Sequence, residues 1–353
     1  MRFETYSLGE LVSIKYGKNQ KKVLSENGAF PIYGTGGLMG YATKALYDKP
    51  SVLIGRKGTI EKIRYVNHPF WTVDTLFYTI VNDNIVIPQF LYYAMLQLDL
   101  LQYNEGTTIP SLRTETLNRI ELRIPNIDNQ KRILHYLATI DEKIELNTKI
   151  NENLDQQAQA IFKSWFVDFE PFGGIMPDDW RMGTLSEIAE INSGKRPPMR
   201  QADKTDNVYV PLVGAASVMG YTNESNHSDK ILVIGRVGTH GIVQRFNIPC
   251  WTSDNTLVLT SPYYEYTYQV LKRIDYTAMN RGSTQPLITQ GDMNKAEIFL
   301  PDKKYILKYE SLVGTLFAQY EHNRAENENL AALRDTLLPK LMNGEIDVSE
   351  VNI

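Results

Sequence analysis

An α+β fold is predicted: two pseudo-symmetric, mixed α/β domains separated by a long antiparallel two-helix coiled coil. Three observations predict it. The chain carries nearly the same phrase twice, IGRKGT at residues 54–59 and IGRVGT at 234–239. Each copy sets β-branched runs between glycine turns, the pattern of short strands. After each copy comes a segment whose apolar residues recur at 4-3-4-3 spacing, which is a heptad.

The echo extends along the whole chain in the same order. LGELVSIKYGK (8–18) is answered by LSEIAEINSGK (185–195), and PIYGTGGLMGY (31–41) by PLVGAASVMGY (211–221). NHPFWTVDTL (67–76) is answered by NIPCWTSDNTL (247–257), and NEGTTIPSL (104–112) by NRGSTQPLI (280–288). LNRIELRIP (117–125) matches MNKAEIFLP (293–301), and LNTKINENL (146–154) matches HNRAENENL (322–330). The offset stays between 176 and 181, far beyond the ~20–50 residues of a solenoid unit. The chain is therefore a duplicated module: globular part, helix, globular part, helix. Residues 1–127 form the first domain and 128–172 the first long helix with a central region. Residues 173–301 form the second domain, and 302–353 the second long helix with a C-terminal region. Within the first copy, SVLIGRKGTIEKIRYV reads as two strands and a turn, residues 88–103 as a helix, and 119–125 as a strand.

The first heptad series runs through Leu137, Ile140, Ile144, Leu154, Ala158, Ile161 and Trp165; the second through Val313, Leu316, Tyr320, Leu330, Leu337 and Leu341. Arg334, which matches Ala158, is the one poor fit. A helix over residues 129–165 would be roughly 55 Å long. Neither seam is stable alone, so each copy is the natural partner of the other. Asparagine interrupts both series at matched places, Asn147 and Asn151 against Asn323 and Asn327. In an antiparallel pair Asn147 would meet Asn327, and Asn151 would meet Asn323. A buried Asn costs stability and fixes register; an exposed one is an ordinary surface residue.

Totals narrow the function. Cys250 is the single cysteine, which excludes a disulfide framework and a cysteine zinc site. Met1 is followed by no basic stretch and apolar core, and no apolar run approaches ~20 residues, so no membrane segment and a cytoplasmic setting are expected. Net charge is −4, but it is unevenly spread: +3 over residues 1–127, −5 over 128–179, +1 over 180–301 and −3 over 302–353. The mildly basic domains remove the objection that an acidic chain raises to nucleic-acid binding.

Three phrases carry a family resemblance: GTTIPSLRTETLNRIELRIPNIDNQKRI (106–133), AIFKSWFVDFEPFG (160–173) and LLPKLMNGEIDV (337–348). They resemble the specificity subunit of type I restriction–modification systems, and the resemblance covers essentially the full chain. It implies two target recognition domains, each followed by a long helix and each reading one half of a split target in double-stranded DNA. It further implies recruitment of two methyltransferase subunits and of restriction (motor-nuclease) subunits. No cofactor is expected on this chain; S-adenosylmethionine, ATP and magnesium would sit on the partners. Because the halves differ, the target should be asymmetric.

Arg56 and Arg236, in the repeated turns with Thr59 and Thr239, suit phosphate contacts common to both halves. Their glycines suit a hairpin turn with positive φ. Lys18 and Arg64, and Lys195, Arg196 and Arg200, are further phosphate candidates or solvated charges. Base readers should differ between the halves. This nominates Lys57 against Val237, Ile60 against His240, and Ile109 against Gln285, with Thr108, Arg113 and Thr284 in the same segments. Trp71-Thr-x-Asp74 and Trp251-Thr-x-Asp254 read as structural, Trp in the core and Asp holding a turn or an Arg. GTGGLMG (34–40) lacks dinucleotide-loop spacing and reads as a loop near DNA. Trp165, Phe166, Phe169 and Phe172, with Leu338 and Leu341, are candidates for a subunit interface.

Competing classes are a free-standing nuclease or methyltransferase and a coiled-coil protein scaffold. No Asn-Pro-Pro-aromatic, Walker or Gly-x-Ser-x-Gly motif is present, and the five histidines lack metal-ligand spacing. A scaffold would not need two mildly basic globular parts. The specificity subunit of a two-component type II enzyme has the same sequence logic.

Overall fold

The computed structural model describes residues 1–237, 241–279 and 287–351. The chain divides into two compact units, residues 1–147 with 325–353, and residues 148–324. Two 40-residue helices, Ile127–Phe166 and Lys303–Met342, each contribute to both units.

In the first unit a four-stranded antiparallel sheet runs in the order Val12–Tyr16, Leu76–Val81, Ser51–Gly55, Ile63–Val66. Ser51–Gly55 is buried at every residue, as the continuous SVLIG run requires of an inner strand. A three-stranded sheet places Phe30–Gly34 between antiparallel Gly37–Ala42 and parallel Trp71–Thr72. The segment read as a loop is thus a β-hairpin. Leu38 and Met39, adjacent in its second strand, lie among the glycines that give the turn signal. Phe3–Ser7 pairs with Glu121–Pro125, which closes the domain on itself.

The helix expected over residues 88–103 ends early. Pro88 starts it at a first-turn position, where the missing N–H costs nothing. It stops at Leu96, and the Asp99 side chain accepts from the Leu101 N–H to begin a separate 3-10 turn, Leu100–Tyr103.

The second unit repeats this plan strand for strand. Its four-stranded sheet is Glu190–Ser193, Thr256–Thr260, Ile231–Gly235, Val243–Phe246, and its three-stranded sheet is Val218–Thr222, Val210–Val213, Trp251–Thr252. Arg181–Thr184 pairs with Glu297–Leu300.

The long helices pair antiparallel in each unit. In the first, the Asn147 amide donates to Asn327 Oδ1 at 2.9 Å and to Glu326 Oε2 at 2.7 Å. Further along, Arg334 donates to Asp141 at 3.0 Å, and Leu137 shares a core with Leu338 and Leu341. In the second, the Asn323 amide donates to Asn151 Oδ1 at 2.9 Å, and Asn151 donates to the Tyr320 carbonyl at 3.0 Å. The Tyr309 hydroxyl reaches the Ala158 carbonyl at 3.1 Å. Asn147, Asn151 and Asn323 are buried and Asn327 is half-buried.

The interior takes up three of the residues nominated for a subunit interface. Phe166 lies in an aromatic cluster with Phe162, Tyr266, Tyr309 and Trp180, and Leu338 and Leu341 fill the first core. Their apolar surface is spent inside the chain, so they offer none to a partner. Trp165, Phe169 and Phe172 remain half-buried.

Candidate nucleic-acid interface

Separate echoes of the sequence meet at one edge of each domain. In the first unit the Lys18 N–H donates to the Thr72 carbonyl at 2.8 Å, and the Trp71 indole N–H donates back to the Lys18 carbonyl at 2.8 Å. The second unit repeats both bonds, Lys195 to Thr252 at 2.9 Å and Trp251 to the Lys195 carbonyl at 2.8 Å. The tryptophan is therefore a clamp on the backbone of an exposed lysine. Trp71 is buried, whereas Trp251 is only half-buried, short of the core position expected for it.

Close approach enforces this join. A Cβ on Gly17 would lie 2.0 Å from the Val73 carbonyl oxygen, and one on Gly194 2.0 Å from that of Ser253. Only glycine lets the strand before each lysine pass there.

The repeated Gly-Arg turn joins the same edge. The Arg56 N–H donates to the Thr75 carbonyl, and the Arg236 N–H to that of Asn255, both at 2.8 Å. The carbonyls of these arginines accept from Leu112 and Ile288, both at 3.0 Å, so the ends of the echoed segments NEGTTIPSL and NRGSTQPLI, at Leu112 and at Leu287 and Ile288, are drawn beside the turns. Lys57 forms an isolated bridge with Ser111, and Val237 with Leu287. Of the turn glycines, Gly58 takes φ +87°; Gly55 is extended and sits where a Cβ would meet the Thr59 carbonyl at 2.4 Å.

The arginine side chains are held differently. Arg56 stacks on Tyr16 at 5.1 Å and donates to Asp74, but to its backbone carbonyl at 2.9 Å rather than to its carboxylate. Arg236 has a buried Nε without a hydrogen-bond partner among the described residues. Arg64 stacks on Tyr33 at 5.4 Å, and the Tyr33 hydroxyl meets His68 at 3.0 Å. These aromatic supports were not legible in the sequence, because each comes from a strand distant in the chain.

Lys18, Lys57, Thr108, Lys195 and Arg196 are exposed and Thr59 is half-buried. Arg113 is exposed and pairs with Glu105 at 3.1 Å. Ile109 is exposed, but Ile60 is fully buried, so it packs the core and cannot reach a base. Thr239, His240, Thr284 and Gln285 lie outside the described residues. Burial pushes the Cys250 thiol up to about 12, which leaves it an uncharged core residue. Among the described residues no cluster of His, Cys, Asp and Glu could hold a metal ion, and no helix is long and apolar enough to cross a membrane.

Comparison with known proteins places this edge in context. Residues 2–156 and 177–309 match the family described as type I restriction modification DNA specificity domain. The MjaIX specificity subunit of Methanocaldococcus jannaschii is 26% identical, the match covering 87% of this chain and 80% of that protein. The HindI specificity subunit of Haemophilus influenzae is also 26% identical, over 78% of this chain and 81% of that protein. The fold is that of the type I system S subunit from M. genitalium, with TM-score 0.64 at 20% identity over 97% of this chain and 96% of that one.

Proposed function

This chain belongs to the family of type I restriction–modification DNA specificity domains, and from that premise we propose that it reads a bipartite, asymmetric target in double-stranded DNA, one half-target per unit. The observation that carries this is the duplicated edge. Lys18 and Arg56, and Lys195 and Arg236, hang from the same backbone bonds in both copies, while the residues beside them differ. Shared cations suit the phosphate backbone, which is alike in any sequence; differing neighbours suit bases.

The chain acts without catalytic machinery of its own. It recruits two methyltransferase subunits, and restriction subunits join them; S-adenosylmethionine, ATP and magnesium bind to those partners. Trp165, Phe169 and Phe172, which remain half-buried, are the contacts proposed for the methyltransferase. The four asparagines set the register of the helical pair.

The test is co-expression with the cognate methyltransferase subunit in a methylation-free host, followed by single-molecule mapping of adenine methylation. A split, asymmetric motif that disappears without this chain is expected. Methylation indifferent to the chain would overturn the reading. Exchange of residues 1–127 or 180–301 for those of a relative should change one half of the motif each.

A further inference from the structure

The hairpin of each three-stranded sheet shows apolar side chains to solvent. Leu38 and Met39 are each 55% exposed and Val218, matched to Leu38, is 42% exposed. The hairpins share an irregularity. Tyr33 pairs Leu38 and Val213 pairs Val218, and in both ribbons the register shifts on the side away from the turn. Such a bulge re-aims a side chain out of the pleat. Gly40 and Gly220 follow at φ +145° and +144°, a conformation that strains any other residue. Two copies that differ at most positions thus keep one twisted ribbon and keep its tip apolar.

Each ribbon also has an arginine lodged against it, from unmatched places in the chain. Arg64, on the strand Ile63–Val66, brings a guanidinium nitrogen within 3.4 Å of where a Gly37 Cβ would stand. Arg200, in the segment after Glu190–Ser193, donates to the Met219 carbonyl at 3.1 Å. A cation reaching the same ribbon by two routes calls for an anion beside an apolar contact. The DNA major groove offers both: it admits a two-stranded ribbon, its rims are phosphate, and the thymine C5 methyl is the apolar feature of its floor.

We propose that the two ribbons enter the major groove and read thymine, Leu38 and Met39 in the first half-target and Val218 in the second, by packing on C5 methyl groups, with Arg64 and Arg200 on the flanking phosphates. This rests on the DNA-binding reading above and names a contact within it.

Uracil lacks only that methyl. The complex with the methyltransferase is titrated onto its mapped target made with thymine, and onto the same duplex with uracil at every thymine. Removing one packed methyl group should weaken binding roughly fourfold, the worth of about one buried methyl. Single uracil substitutions then locate the thymines that are read. Leu38→Ala with Met39→Ala should bind thymine and uracil alike in the first half-target and still discriminate in the second; Val218→Ala should do the reverse. Arg64→Gln should keep the discrimination and flatten the salt dependence by about one phosphate contact. Equal binding of the two duplexes by the unaltered complex would overturn the proposal, as would discrimination that survives all three alanine changes. A complex that bound no duplex selectively would instead bring down the specificity-subunit reading, and the thymine proposal with it.

Discussion

In the first unit the helix Pro88–Leu96 is fastened by Tyr93, whose hydroxyl donates to Asp141, a carboxylate that also accepts from Arg334 at 3.0 Å. In the second unit the matching helix Tyr264–Leu271 is fastened by a buried ion pair. Arg245 binds Glu265 through both terminal nitrogens, the longer bond being 3.1 Å, and lies 3.7 Å over the Phe317 ring. Lys272 adds a contact to Asp155 at 2.8 Å. The positions do not correspond. By strand register Arg245 matches Tyr65, and at the repeat offset Asp141 matches Phe317. Asp141 and Asp155 both lie on Ile127–Phe166. The backbone bonds at the candidate DNA edge are the same in both copies, whereas the side chains that dock each domain on the helices have diverged. The first is what the DNA-binding proposal requires of both copies, and the second is packing solved twice.

The largest expected effect breaks that comparison directly. Arg245→Met leaves Glu265 buried without its cation and should cost about 3–5 kcal/mol. Limited proteolysis read by mass spectrometry should show cleavage within residues 148–324 first. Adding Glu265→Leu should recover most of the loss, because an apolar pair can replace a buried ion pair; no recovery would mean that Arg245 acts chiefly through its aromatic neighbours and Glu321. Tyr93→Phe removes one bond to a charged acceptor and should cost about 1.5–3 kcal/mol in denaturant unfolding. A loss equal to that of Arg245→Met would erase the distinction between the two docking modes.

A pH experiment sharpens it. Glu310 accepts from the Tyr266 N–H at 2.7 Å at the start of Tyr264–Leu271. Burial, with Glu265 nearby, raises its carboxyl to about 7. The folded state therefore holds a proton that the unfolded chain releases near ~4.3. Stability of the second unit should fall as pH rises from that value to about 7 and be level above it. Glu310→Gln keeps an acceptor for Tyr266 and should remove this slope; an unchanged slope would assign it to another group. The smallest effect concerns the seam. Asn147→Ala and Asn327→Ala, alone and together, should show a coupling of about 0.5–1 kcal/mol in a double-mutant cycle, and none if the amide pair is incidental.

Much of the fold was legible because a repeat checks itself. The heptad over residues 129–165 marks a helix that spans Ile127–Phe166, and the paired asparagines face each other as the matched interruptions require. Arg334 looked misplaced in its heptad because its partner, Asp141, lies far away in sequence. GTGGLMG concealed a strand because glycines needed for a bulged ribbon carry the same signal as a loop. At the candidate site the cations could be named from matching, but their supports could not. Tyr16 under Arg56, Tyr33 under Arg64 and Trp71 behind Lys18 are side-chain meetings made by strand order. Ile60 shows the converse: an unmatched residue beside a motif can belong to the core.

The first unit is discontinuous, with residues 148–324 intervening between its two segments. On a ribosome adding about 5–20 residues per second, that interval lasts on the order of 10–40 s. Throughout it Leu137 and its neighbours wait for Leu338, Leu341 and Met342, which complete their core. Of the two units, the one begun earlier is therefore completed later, with an open apolar seam in the meantime. Its yield in the cell should be governed by how quickly synthesis delivers the final helix, and by what shields the seam until then, more than by the stability of the finished fold.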